Sequence, residues 1–318
     1  MTQRNSSPIY LIGRHRSGTT MFWNLFRQDP RYYCLYEPFN SRLEDGILSA
    51  DAIPLDATHL GVSDYWLEYR KLNKNAILDS WRRRSTVDRI SLSPLSYAPA
   101  IRNYLNLLIQ EAGAYGIPVL KFVMEDFRAR WLARHYPSAR IIHIQRNPRA
   151  VWSSMFRYRL PDDVRERPEL RQSTFFVHID KIADSLDIRV PGHPYRTFYL
   201  IWLLSREAVS SVADDTWWYE DAIEDYDEWA KKHLIEPGLF LSAPEMSKAE
   251  DSHRPSSLHA DFWFLEQELW VYDWLGFSST KWASRHPVQR FLKRVDFVTS
   301  GFPFRKIKRL GSKLFGGS

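Results

Sequence analysis

Residues 13–20, Gly13-Arg14-His15-Arg16-Ser17-Gly18-Thr19-Thr20, place two glycines five positions apart among arginines and hydroxyl side chains. An apolar run, Ile9–Ile12, leads into them, and the helix-like spacing of Met21, Phe22, Leu25 and Phe26 follows. Glycine lets the chain turn tightly as a strand ends. Amide N–H groups at a helix start then face an anion, and Thr19 and Thr20 add hydroxyl donors. The glycine spacing matches the phosphate-cradling pattern G-x-x-x-x-G-K-[ST], with Thr19 standing in place of its lysine. A metal-dependent NTPase needs that lysine for the β- and γ-phosphates, and an Asp on a second strand for magnesium. The strand placed to carry the Asp, in "ARIIHIQRNP", ends in Arg146. The pattern therefore points to phosphate binding but away from a metal-bound triphosphate. Arg14 and Arg16 supply the positive charge.

A second turn repeats the logic in "IIHIQRNPRAVWSSMFRY", residues 141–158. Asn147 is a good N-cap and Pro148 suits the first helical position. Arg146 and Arg149 fall beside the positive end of the helix, which makes a second anion site. The bland alternative is a capped helix with solvated arginines. Two such turns in one chain fit a single ligand with phosphates at both ends.

The first loop resembles the 5′-phosphosulfate loop of the sulfotransferases that use 3′-phosphoadenylyl sulfate (PAPS), in which Lys or Arg precedes a Ser-Gly-Thr-Thr-like turn, as Arg16 does here. The second resembles that family's 3′-phosphate motif, R-[DN]-P-R-x-V-x-x-S, with Arg146 and Ser154 at the phosphate-binding positions. The lysine is then dispensable because the donor has no γ-phosphate. The resemblance implies a P-loop-like fold and metal-independent sulfuryl transfer from PAPS, releasing 3′,5′-adenosine bisphosphate (PAP). It assigns donor binding to Arg14, Arg16, Ser17, Gly18, Thr19, Thr20, Arg146 and Ser154. "YEP" at 36–38 is similar to a Glu-Pro after the first helix in carbohydrate-type and related bacterial members. It makes Glu37 a candidate base beside Arg16 as the catalytic pair. Glu37 also reads as a surface carboxylate before a proline turn. His15 in the loop is a weaker base candidate, and mid-strand His143 reads as a core histidine. "VLKFVMEDF" with Lys121 and "WWYEDAIED" follow the family order. Both also read as purely structural.

These residues require a sheet to carry them. Ile9–Ile12, Val119–Val123, Ile141–Ile144 and Thr216–Tyr219 read as buried parallel strands. Helical patterns lie between them, including one ending at Tyr136-Pro137 and another over Tyr199–Val212. Alternation of this kind predicts an α/β, P-loop-like three-layer fold with a central parallel sheet, helical insertions and a basic C-terminal tail. The insertions are 41–100, 159–197 and 236–260, and the predicted domains are 1–284 and 285–318.

The 318 residues are 44% hydrophobic, enough for a large core, and carry a formal charge of +6. From Arg285 to Ser318, nine Lys/Arg face one acid, so the remaining chain is slightly acidic. A body close to neutral argues against a nucleic-acid partner. The single cysteine, Cys34, fits a reducing compartment, and the polar start of the chain lacks an apolar leader. The expectation is a cytoplasmic protein with a hydroxyl-bearing acceptor, small-molecule, carbohydrate or lipid-linked. The tail reads as a terminal helix on the body. A second reading rests it on an anionic membrane. A P-loop nucleotide kinase and a non-catalytic nucleotide-binding protein of the same fold remain as alternatives. The 13 tryptophans, Trp202 and Trp270 among them, read as core packing.

Overall fold

The computed structural model describes residues 7–49, 62–85, 91–156, 174–186, 188, 191–233 and 258–275. Five parallel strands form one sheet in the order β2-β3-β1-β4-β5. They are β1 (Ile9–Gly13), β2 (Tyr32–Tyr36), β3 (Ile117–Val123), β4 (Arg140–Gln145) and β5 (Asp215–Trp218). In β1, Tyr10 and Ile12 face one side and Leu11 the other, and all three are fully buried. A strand covered on both faces explains the unbroken apolar run.

The first strand, β1, lies in the middle of the sheet. From β1 the chain runs through α1 (Thr19–Arg27) to edge strand β2. It returns by way of α2 (Leu43–Leu48), α3 (Leu67–Lys71), α4 (Lys74–Ser85) and α5 (Pro99–Gly113) to β3. A 3-10 turn (Asp126–Arg128) and α6 (Ala129–His135) then cross to β4. From there α7 (Pro148–Phe156), α8 (Thr174–Ser185) and α9 (Pro194–Ser210) lead to β5 at the other edge. After β5 come α10 (Tyr219–Glu224), α11 (Tyr226–Lys232) and α12 (Leu258–Trp274). Neighbours β1 and β4 feed connections in opposite directions. Their C-terminal ends flank the crevice where open α/β sheets bind ligands.

Four strands fall where the apolar runs predict them, with shifted ends. Tyr219 does not extend β5 but opens α10. Strand β2 is an addition to the prediction. The described residues of the 41–100 region belong to the body, because Tyr65, Trp66, Tyr69, Ile77 and Leu78 are buried in the main core. A second cluster joins Trp152, Tyr195, Phe198, Ile201 and Phe264 from α7, α9 and α12. Trp202 is buried in it and Trp270 packs against it. The 285–318 tail, residues 159–173 of the second insertion and most of the third insertion lie outside the described residues.

Candidate active site

The β1–α1 loop closes on itself. The Ser17 hydroxyl donates to the Arg14 carbonyl at 2.6 Å, and the Ser17 amide reaches the same oxygen at 3.2 Å. Arg16 takes a left-handed backbone (φ 63°) and Gly18 another (φ 89°). A Cβ on Gly13 would stand 2.7 Å from the Ile144 carbonyl oxygen and 2.7 Å from Thr19 Cγ2, so the loop can leave the sheet only through glycine. Helix α1 then starts at Thr19 with neither a side-chain cap nor an acidic residue in its first turn. Its first N–H groups and the helix dipole suit an anion.

Arg14 and Arg16 part company. Arg14 is buried and its guanidinium bonds the Asp126 carboxylate. It ties the loop to the start of the 3-10 turn. Arg16 is partly buried, and its Nε donates to the Ser154 hydroxyl on α7 at 3.0 Å. Arg146 Nη1 donates to the Arg16 carbonyl at 3.1 Å. The two anion turns are thus joined directly, and Arg16, Arg146 and Ser154 meet in one place. A narrow cleft, partly open to solvent, is lined by Arg14, Ser17, Gln145, Arg146, Arg206 and the α9 residue Trp202.

The start of α7 follows its sequence. Asn147 Oδ1 accepts the Arg149 amide at 2.9 Å, and the Asn147 amide donates to Glu220 at 2.9 Å. The Arg149 guanidinium reaches α12. Its Nε and Nη2 form a fork on Glu268 of α12, at 3.1 and 2.9 Å, and Tyr195 donates to the same carboxylate at 2.7 Å.

Glu37 sits just past β2 and is left-handed (φ 37°). Register pairs Tyr36 with Lys121 of β3. The Lys121 ammonium lies 3.8 Å from the Tyr36 ring centre and donates to Glu37 Oε1 at 2.7 Å. Asn40 Nδ2 donates to Glu37 Oε2 at 2.6 Å. Burial by itself would lift the Glu37 carboxyl, but Lys121 and then His15 hold it down to about 2. Burial pulls Lys121 down while Glu37 pulls it back. Burial also pushes His15 down to about 4 against the pull of Glu37, helped by Arg14, Lys121 and Arg16. His143 is a core residue, bonded to Ser210 and Gln145 and pushed by burial down to about 3.

Among non-glycine described residues, Arg16, Glu37 and Met124 have positive φ, and they follow β1, β2 and β3. Left-handed backbone at three adjacent strand ends marks this edge as the place where the fold holds unusual conformations for a site. No site role for Asn40 or Glu268 is legible in the sequence; Asp126 lies within "VLKFVMEDF" and Tyr219 and Glu220 within "WWYEDAIED", the segments that follow the family order. Lys121 carried a signal: a lysine inside an apolar strand must find a counter-charge.

The match to known proteins follows the same lines. The sulfotransferase family profile matches residues 8–173, more than half of the chain, and spans both anion turns. An uncharacterized protein of Archaeoglobus fulgidus is 30% identical over 150 residues, which is 44% of this chain and 44% of that protein. The chain therefore spans less than half the length of that curated relative. The crystal structure of sulfotransferase STF9 from Mycobacterium avium aligns over 85% of this chain and 76% of its own, at 17% identity and a TM-score of 0.40. With both motif-bearing turns inside the matched segment, the chain belongs to the sulfotransferase family.

Proposed function

We propose that the protein transfers a sulfuryl group from PAPS to an acceptor hydroxyl. The observation that carries this reading is the direct joining of two anion turns, Arg16 to Ser154 and Arg146 to the Arg16 carbonyl, with Thr19 in place of the NTPase lysine. The residues present fit the donor. The glycine-lined β1–α1 loop, with Ser17, Thr19 and Thr20, holds the 5′-phosphosulfate against the α1 amides. Arg14 fixes that loop through Asp126. Arg146 and Ser154 clamp the 3′-phosphate.

The donor supplies an activated sulfur whose leaving group is the 5′-phosphate of PAP. Arg16 stabilises negative charge on that phosphate as the bond to sulfur breaks, a preorganised electrostatic effect. Glu37, kept ionised by Lys121 and Asn40, accepts the acceptor's hydroxyl proton at a carboxylate oxygen as the hydroxyl oxygen bonds to sulfur. Lys121 keeps the carboxylate aimed at the strand edge. The acceptor class is a carbohydrate, glycolipid or small-molecule hydroxyl.

The test uses full-length protein with PAPS, a chelator and an extract of its host. Mass spectrometry should find PAP together with a product heavier by one sulfuryl group. PAPS left intact, with ATP consumed in a parallel arm that holds magnesium in place of the chelator, would favour the nucleotide kinase instead. PAP bound without any turnover would favour the non-catalytic reading.

A further inference from the structure

Gly18 and Arg146 belong to different turns, yet both touch one ring. The Arg146 guanidinium carbon lies 4.3 Å from the centre of the Tyr219 ring. A Cβ on Gly18 would stand 2.3 Å from Tyr219 Cδ2, so the ring rests against the bare α-carbon of Gly18. Tyr219 is itself buried, at 5% exposure. It directly follows β5, whose last residue pairs with Gln145 of β4, so it is set by the sheet and not by a loose loop. The next residue, Glu220, takes the Asn147 amide. One short segment at the β5–α10 junction therefore braces the β1 loop, Arg146 and the start of α7.

We propose that Tyr219 is a positioning residue that holds Arg146 in register with the β1 loop, so that a 3′-phosphate is read together with the 5′ anion. The inference rests on the PAPS reading. Its physical basis is the stacking of a planar guanidinium on an aromatic face. An arginine held over a ring and tied to the Arg16 carbonyl has lost rotamer freedom before ligand arrives. It loses less freedom on binding than a solvated arginine would. The ring makes both contacts, so the ring is the part that matters. Gly18 is required twice, by its left-handed backbone and by the ring packed on it.

The experiment compares Tyr219→Phe with Tyr219→Met. Affinities for PAP and 5′-AMP are measured by calorimetry, alongside thermal melts. Phe should keep the wild-type preference for PAP. Met, which keeps apolar bulk without a π-face, should cut that preference by about 2- to 30-fold, the range of a cation–π contact. In an Arg146→Ala background the Met change should leave the remaining preference unaltered. A merely structural brace would lower the melting temperature and weaken both ligands alike, which would overturn the proposal. A folding defect in the Met variant is bypassed by labelling the wild-type protein with 3-fluorotyrosine. The Tyr219 signal, assigned by its loss in Tyr219→Phe, should shift further with PAP than with 5′-AMP, and equal shifts would overturn the proposal. A wild-type protein with no preference for PAP overturns the PAPS reading, and this inference falls with it. A normal preference in both wild type and the Met variant overturns this inference alone.

Discussion

At the residue scale, Glu37 is held ionised by its neighbours, Lys121 foremost, against the effect of burial. That makes it ready as a proton acceptor at any pH the fold survives, at the cost of intrinsic basicity. Replacing it with Gln keeps the shape and the Asn40 contact region but removes the charge. Glu37→Gln should lower turnover by roughly 10²–10⁴-fold while PAP affinity changes little. Steady-state rates with calorimetry check both halves, and near-normal turnover would mean another group takes the proton. Lys121→Met tests the neighbour. A base must be ionised, so activity is lost as pH falls through its pKa. With Lys121 present that pKa is about 2, too low for Glu37 to bring an acid limb into view. Without it, burial acts unopposed by its main partner and the pKa rises. A kcat/KM profile should then gain an acid limb at higher pH, and a profile of unchanged shape would contradict the pairing. The variant should also be less stable by roughly 3–5 kcal/mol, because it leaves a carboxylate of a largely buried pair without its partner.

Much of this was legible residue by residue, because the anion turns carry chemistry in their own side chains. Gly13, Gly18, Asn147 and Pro148 sit where local geometry demands them. The partners were not legible. Asp126 lies far along the chain from Arg14, as Glu268 does from Arg149, and neither spacing leaves a periodic trace. Sequence pattern records which residue needs a partner, and the topology chooses it.

At the element scale, the predicted strands are short apolar or aromatic runs bounded by charges or turns. Strand β2, Tyr-Tyr-Cys-Leu-Tyr, is wedged between Asp29-Pro30 and Glu37-Pro38 and reads as connection. Its aromatic side chains are explained by packing: Tyr36 lies against Trp23, Tyr65 and Trp66. The same rings draw the 62–85 region into the core, which its polar composition hides. Helix α12 is another element whose role depends on tertiary contact. Its Glu268 receives the Arg149 fork and the Tyr195 hydroxyl, and Gln267 receives Arg196 at 2.8 Å. Hydrogen bonds to charged groups contribute about 1.5–3 kcal/mol each. Glu268→Ala should therefore lower stability by about 2–3 kcal/mol in urea unfolding, with the slope unchanged. A loss below a few tenths would mean that α12 is not anchored to α7 in this way.

At the scale of the whole molecule, buried ionisable groups set the response to acid. His143 is held neutral with its pKa at about 3, against 6.5 when unfolded. Between those values the unfolded chain binds a proton that the folded chain refuses, so stability falls as pH falls through that window. His15 behaves alike, from 6.5 down to about 4. Glu37 adds a lower step, because its contribution is complete above its ordinary 4.5 and is lost as pH falls toward about 2. Urea midpoints should decline from neutral pH downward, and His143→Gln should flatten the part of the decline between about 6.5 and 3. A decline of equal steepness in that variant would place the acid sensitivity elsewhere.

The fold and the anion turns serve one central claim, that this chain recognises a nucleotide by phosphates at two positions. Calorimetry with a chelator present tests it most directly. PAP should bind more tightly than 5′-AMP or ATP, and Arg146→Ala should weaken PAP by about 1.5–3 kcal/mol, the worth of a charge-assisted hydrogen bond, with little effect on 5′-AMP. Equal affinities of the wild-type protein for PAP and 5′-AMP would contradict the claim.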